Sequence, residues 1–225
     1  MTAANAHGAD ARPARLLKRD GLGAVYLWHD GDARVVVRDT RAAHWSVRWL
    51  ARRLARREAR ALHAAAPAAE IPQLISFDGR VLRRTYLPGQ PMHAARPVSR
   101  AYYRDALRLL RRLHAAGVAH NDAAKEANWL CTAAGRPALV DFQLAHVSPR
   151  RTACFRALAR EDLRHLLKHK QSYARHALTE RQRALLASPS LGARLWRALV
   201  KPPYRFVTRV LLRLPERMGP AERTL

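Results

Sequence analysis

Residues 120–130 read His-Asn-Asp-Ala-Ala-Lys-Glu-Ala-Asn-Trp-Leu, and residues 138–143 read Ala-Leu-Val-Asp-Phe-Gln after a short turn. The chain of 225 residues holds only 17 acidic residues against 42 basic ones. Two carboxylates and a side-chain amide, Asp122, Asn128 and Asp141, nevertheless fall within this one stretch. Such a concentration of oxygen ligands in an acid-poor chain marks the segment as the first place to look for chemistry.

Trp129 to Thr132 and Ala138 to Phe142 read as short strands around Gly135-Arg136-Pro137, so a hairpin brings Asn128 and Asp141 to one edge. Asp141 follows the apolar run Ala-Leu-Val, where an unpartnered carboxylate would be costly to bury. A carboxylate and an amide oxygen are hard ligands of the type that magnesium takes. Phosphoryl transfer asks for that metal, for a base near the accepting hydroxyl and for a cation on the phosphates. Asp122 suits the base, and Lys125 suits the γ-phosphate. Asp122 and Asn128 are also ordinary turn-forming residues. His120 suits a bond to nearby backbone, and Trp129 and Phe142 suit the core.

Outward from this segment, the chain changes character. From Leu16 to Thr40 turn signals at Gly21-Leu22-Gly23 and Asp30-Gly31-Asp32 separate three strand-like runs, the last being Ala33 to Arg38. Residues 45–64 switch to a helical period, with Trp45, Trp49, Leu50, Leu54, Ala61 and Leu62 recurring on the apolar side. Pro67 and Pro72 end that helix, and Gln73 to Phe77 and Val81 to Leu87 flank an Asp78-Gly79 turn. A Pro- and Gly-rich connector runs from Pro88 to Pro97. Residues 99–116 form a helix capped by Ser99 and ended by Gly117, with Tyr103, Ala106, Leu107, Leu110 and Leu113 on one face. Residues 153–170, 179–187 and a stretch from 190 also read as helices. The expected organisation is a loose tail (1–14), a sheet lobe with one helix (15–88), a helical lobe carrying residues 120–142 (89–189) and basic amphipathic helices (190–225). Strands first and helices later argue for an α+β protein.

The net charge is +25, and only Lys18, Lys125, Lys168, Lys170 and Lys201 are lysines. An anionic partner (nucleotide, nucleic acid, phospholipid or phosphorylated saccharide) explains such a balance; so does a coding bias towards Arg and Ala. Nucleic acid is not an expected partner, since neither a basic recognition motif nor a stacking platform is visible. Cys131 and Cys154 fit no metal or disulfide spacing, and no leader or membrane span stands out, so a cytoplasmic location is expected. Between Arg194 and Arg217 cations recur every three or four residues opposite an apolar stripe. That element either lies on the anionic inner face of the membrane or packs on the helical lobe.

In combination these motifs resemble the catalytic core of the protein-kinase-like superfamily, whose loop reads His-x-Asp followed by Asn, with Asp-Phe-Gly after a hairpin. Within it the chain is similar to small bacterial RIO-type Ser/Thr kinases and lipopolysaccharide-core (Kdo/heptose) kinases, over roughly residues 16–170. The resemblance implies a two-lobed fold, with a small antiparallel amino-terminal sheet lobe and a short helical carboxyl-terminal lobe. It implies ATP and Mg2+ as cofactors, Asp122 as base and Asn128 and Asp141 as metal ligands. It also implies a strand cation paired with a helix glutamate, here Arg38 and Glu58, and a nucleotide-covering turn, here Gly21 and Gly23. The acceptor would be a hydroxyl of protein Ser/Thr or of a lipopolysaccharide sugar.

The chain departs from that pattern in three places. Five residues, Ala123 to Ala127, separate Asp122 from Asn128 where four are usual, and Gln143 replaces a glycine. Arg38 stands where Lys is expected, and a guanidinium is bulkier and forked, so Lys to Arg is not conservative at a close phosphate site. Arg38 could substitute, leave a weak enzyme, or mark a pseudokinase that binds nucleotide or scaffolds. A solvated pair with a neighbouring Arg is the alternative for Glu58, and a plain hairpin turn is the alternative for Gly21 and Gly23.

Overall fold

The computed structural model describes residues 12–187 except Asp32, Pro67 and Ala69, so the basic helices expected over 190–225 and most of the expected tail lie outside the described residues. The chain divides between Leu87 and Pro88 into two compact units.

The first unit is built on an antiparallel sheet of β1 (Arg12–Asp20), β2 (Gly23–Asp30), β3 (Ala33–Asp39), β4 (Leu74–Phe77) and β5 (Val81–Thr85), in the order β1-β2-β3-β5-β4. A two-residue turn, Gly21-Leu22, joins β1 to β2, and three residues, 78–80, join β4 to β5, both where the sequence places turn signals. At Gly23, with φ 125°, a Cβ would sit 2.4 Å from the Asp39 carbonyl oxygen, so close strand approach requires glycine there. Helix α1 (Arg48–Ala64) follows a single 3-10 turn at Trp45–Val47 and packs on β4 and β5. Its buried side is Ala51, Ala55, Glu58, Ala59, Ala61 and Leu62. This corrects the sequence expectation: Trp45 and Trp49 share the helical period but point outward. Small alanines let the helix approach the sheet more closely than indoles would.

The second unit opens with β6 (Gln90–Pro91) and a single turn, α2 (Met92–Ala95), inside the expected connector. Helix α3 (Arg100–Ala115) begins at Ser99, whose hydroxyl accepts the Ala101 N–H, and ends before Gly117 at φ 74°. Tyr102, Tyr103, Ala106, Leu109, Leu110 and Leu113 are buried, so the face is centred one position away from the expected one and leaves Leu107 half-exposed. Then come β7 (Val118–Ala119), β8 (Trp129–Cys131), β9 (Pro137–Leu139) and β10 (His146–Val147). They form a β6-β8-β9 sheet and a β7-β10 pair. Pro137 belongs to the strand, and Phe142 to a 3-10 turn. Helix α4 (Ala153–Tyr173), capped by Thr152, packs on α3, and α5 (Glu180–Ala187) packs on α4. Trp129, Phe142, Leu110, Leu139 and Leu166 fill the core between these elements.

Candidate active site

In the second unit the loop 120–128 is held from both ends. His120 is buried and its Nε2–H donates to the Val140 carbonyl at 3.0 Å, with its ring edge-on to Phe142 at 4.7 Å. Asn121 adopts the left-handed region at φ 60°, and its Nδ2 donates to the Leu144 carbonyl. At the far end the Asn128 carbonyl accepts the Val140 N–H at 2.9 Å, one residue before Asp141. The hairpin thus pairs Asn128 with Val140, the residue before Asp141.

Asp122 lies at the centre. Its Oδ2 accepts from Lys125 Nζ at 2.6 Å and from Asn128 Nδ2 at 2.9 Å, and Asn128 Nδ2 also donates to the Asp122 carbonyl. Burial raises the pKa of Asp122 above the ordinary carboxylate value; Lys125, His120 and Asn128 pull it back only in part. The five-residue spacer therefore puts Lys125 on the carboxylate of Asp122. Asp141, at φ 68°, accepts a hydrogen bond from Gln143 Nε2 at 2.7 Å. The backbone at Gln143 is not left-handed, so no glycine is needed at that position.

Three residues the sequence reading missed brace this loop from α4. Asp162, 1% exposed, accepts the His120 N–H on Oδ2 and the Asn121 N–H on Oδ1, both at 2.8 Å, and His114 Nε2–H at 3.2 Å. His169 donates from Nε2 to the Ala123 carbonyl at 3.0 Å, and the Trp129 indole N–H donates to the same oxygen. Tyr173 donates to Glu126 Oε2 at 2.7 Å. Positions 162, 169 and 173 share one side of a helix, so one helical face grips the loop at three points. That spacing was the available signal: polar residues on a stripe that also carries Phe155, Ala159 and Leu166. Burial lowers the pKa of His169 and outweighs the bond to Ala123, which acts in the opposite direction.

In the first unit Glu58 is fully buried. Arg38 Nε approaches its Oε2 at 3.1 Å and Arg84 Nε approaches Oε1 at 3.1 Å. Neither N–H is aligned as a hydrogen bond, so the contacts are ionic. The expected pair of Arg38 and Glu58 is present, the alternative of a solvated helix pair is corrected, and Arg84 is a cation the sequence reading did not find. Arg38 and Arg84 lie on adjacent strands, with Val36 opposite Arg84 and Arg38 opposite Leu82, so both face α1. Gly21 and Leu22 form the two-residue turn between β1 and β2; the Gly21 carbonyl accepts the His44 N–H, and Asp20 Oδ1 accepts the Leu22 N–H.

The donor set fits magnesium. Asn128 spends its amide N–H bonds on Asp122, so its oxygen is the atom that would meet a cation, and Asp141 would supply a carboxylate. Among the described residues no three His, Cys, Asp or Glu side chains gather as a zinc-type cluster. One carboxylate and one amide, completed by phosphate oxygens, is how magnesium is commonly held.

The architecture has a solved counterpart. The chain is similar to the crystal structure of the Rio2 kinase–ADP/Mg2+–phosphoaspartate complex from Chaetomium thermophilum, with a TM-score of 0.55 and 16% identity, over 81% of this chain and 60% of that one. The fold is protein-kinase-like. This chain spans about 60% of the length of that kinase. No protein-family model matches the sequence, and no curated protein is a detectable relative. A likeness at this identity concerns the kinase-like fold, and the chemistry must be argued from the residues.

Proposed function

We propose that this chain is an ATP- and magnesium-dependent phosphotransferase that passes the γ-phosphate to a hydroxyl acceptor. The observation that carries the reading is the cluster of Asp122, Lys125 and Asn128, set one hairpin rung from Asp141 on a kinase-like fold. Bound magnesium would neutralise charge on the phosphates, and Asn128 and Asp141 would hold it. Asp122 orients the acceptor hydroxyl and takes its proton as the acceptor oxygen bonds to phosphorus and the bond to ADP breaks. Its raised pKa makes it a better base than an exposed aspartate. Lys125 holds Asp122 in place and supplies positive charge near the transferred group. In the first unit Arg38, aligned by Glu58, is the phosphate-side cation.

The acceptor is a protein Ser/Thr or a lipopolysaccharide-core sugar, in a cytoplasmic enzyme with access to the inner face of the membrane. After Phe142 only a short segment precedes α4, which leaves little platform for a protein substrate and favours the sugar. Labelled ATP incubated with a lipopolysaccharide precursor and with generic protein substrates, with and without magnesium, tests the reading. Turnover that needs magnesium and disappears in Asp141→Ala is the expected result. Arg38 in place of Lys favours a second reading, a nucleotide-binding pseudokinase. It is supported instead if wild type and Asp141→Ala are equally inert while both bind nucleotide.

A further inference from the structure

Trp45 is 77% exposed and Trp49 is 66% exposed. Two indoles this open, four residues apart across the start of α1, are uncommon on a soluble surface and mark a place of contact. Further along the same side of α1 stand Arg53, Arg56 and Arg60, all exposed. The steps from Trp49 are four, three and four residues, so Trp49 and the three arginines form one outward stripe on α1, with Trp45 exposed on the 3-10 turn just before it. Glu58, the only acid in α1, lies on the opposite, buried side. Positive charge therefore accumulates on the outer side without an acid of the helix to offset it. Arg57, at the margin of the stripe, has its pKa lowered by burial and then by the neighbouring Arg53.

We infer that this outer face of α1 docks on an anionic phospholipid surface, with Trp45 and Trp49 seated at headgroup depth and Arg53, Arg56 and Arg60 against lipid phosphates. Indoles settle at the membrane interface because the ring is apolar and its N–H still reaches water or a headgroup. Guanidiniums beside them meet phosphates while their stems cover apolar surface. A strand of RNA, by contrast, is held in a basic groove with aromatics along its floor, whereas a single helix presents a convex face. The site uses none of the residues assigned to phosphate transfer except through the shared helix, so it stands independently of the proposed activity.

The test is partitioning of the full chain onto phosphatidylcholine vesicles with and without phosphatidylglycerol. Three cations at a lipid surface are together worth about a hundredfold in partitioning. W45A/W49A and R53Q/R56Q/R60Q should each reduce binding to the anionic vesicles by about tenfold or more, with binding to neutral vesicles weak throughout. The control R104Q/R108Q/R111Q on α3 removes the same charge elsewhere and should cost much less. Brominated phosphatidylglycerol should quench the wild-type emission, and W45F/W49F should differ from wild type in that quenching. Melting temperature and ATP binding, measured on every variant, separate loss of docking from loss of fold or of the nucleotide site. The inference is overturned if wild type ignores phosphatidylglycerol, if W45A/W49A binds like wild type, or if the α3 control loses as much. It is also overturned if oligouridylate, and not the vesicles, shifts the indole emission.

Discussion

Each unit contains a buried carboxylate that fixes one of its own elements, and the two do so by opposite means. Glu58 is clamped by side-chain cations, Arg38 from β3 and Arg84 from β5, and thereby ties a helix to a sheet. Asp162 accepts mainly from main-chain N–H groups, those of His120 and Asn121, and thereby fixes the path of a loop. Ionic contacts without aligned hydrogen bonds set distance more than direction. Paired main-chain bonds set direction, which is what a loop carrying the proposed base and metal ligand needs.

The largest expected effect breaks the main-chain device. Asp162→Ala leaves two main-chain donors and the His114 N–H without an acceptor, at about 1–3 kcal/mol each, and should cost about 4 kcal/mol in all. Hydrogen exchange should show loss of protection at the amides of 120 and 121 and little change in the first unit. If those amides stay protected, the loop is fixed by other contacts and the contrast fails. Glu58→Gln breaks the other device and should cost about 3 kcal/mol in denaturant unfolding, because two guanidiniums lose their common anion. Exchange in the loop 120–128 should not change. A comparable loss of protection there would show that the two devices act as one.

Smaller effects come from titration. His165 has its pKa lowered to about 4 from 6.5, mainly by burial, and burial lowers that of His169 in the same direction. The unfolded chain therefore binds protons in this range that the folded chain refuses. Stability should be full above about pH 6.5 and fall as pH drops towards 4. His165→Leu should flatten that fall in melts taken across the range; an unchanged slope would assign it to other groups. The smallest effect concerns Asp122. Its raised pKa places the acid limb of the rate profile above that of an ordinary aspartate, since only the ionised form accepts a proton. Lys125 pulls this pKa down, so Lys125→Met should move the limb to higher pH by about one unit or less. A limb that moves down, or does not move, would remove Lys125 from the site.

The strands of the first unit were legible because turn residues and β-branched runs are local signals, and Ser99 and Gly117 announced α3 for the same reason. The hairpin bearing Asn128 and Asp141 was legible through its apolar strands. Asp162 was not, because its main-chain partners are 41 and 42 residues away: its place on the stripe of Phe155, Ala159 and Leu166 marks a packed side but does not name them. Arg84 was hidden among many arginines for the same reason. The orientation of α1 was misread on physical grounds: periodicity groups residues on a side but does not say which side is packed. The helix buries its alanines and displays Trp49, against the order that hydrophobicity alone suggests.

That alanine face has a mechanical side. Methyl groups make shallow ridges, so they allow a helix to come close but interlock weakly against rotation or sliding. A shift of one residue in α1 would turn every side chain by about 100° around the axis. What forbids the shift is Glu58, which can meet Arg38 and Arg84 in one setting only. The carboxylate thus acts as an index pin for the whole helix. By fixing the angle of its inner side, it also decides that Trp49 and three arginines look outward together.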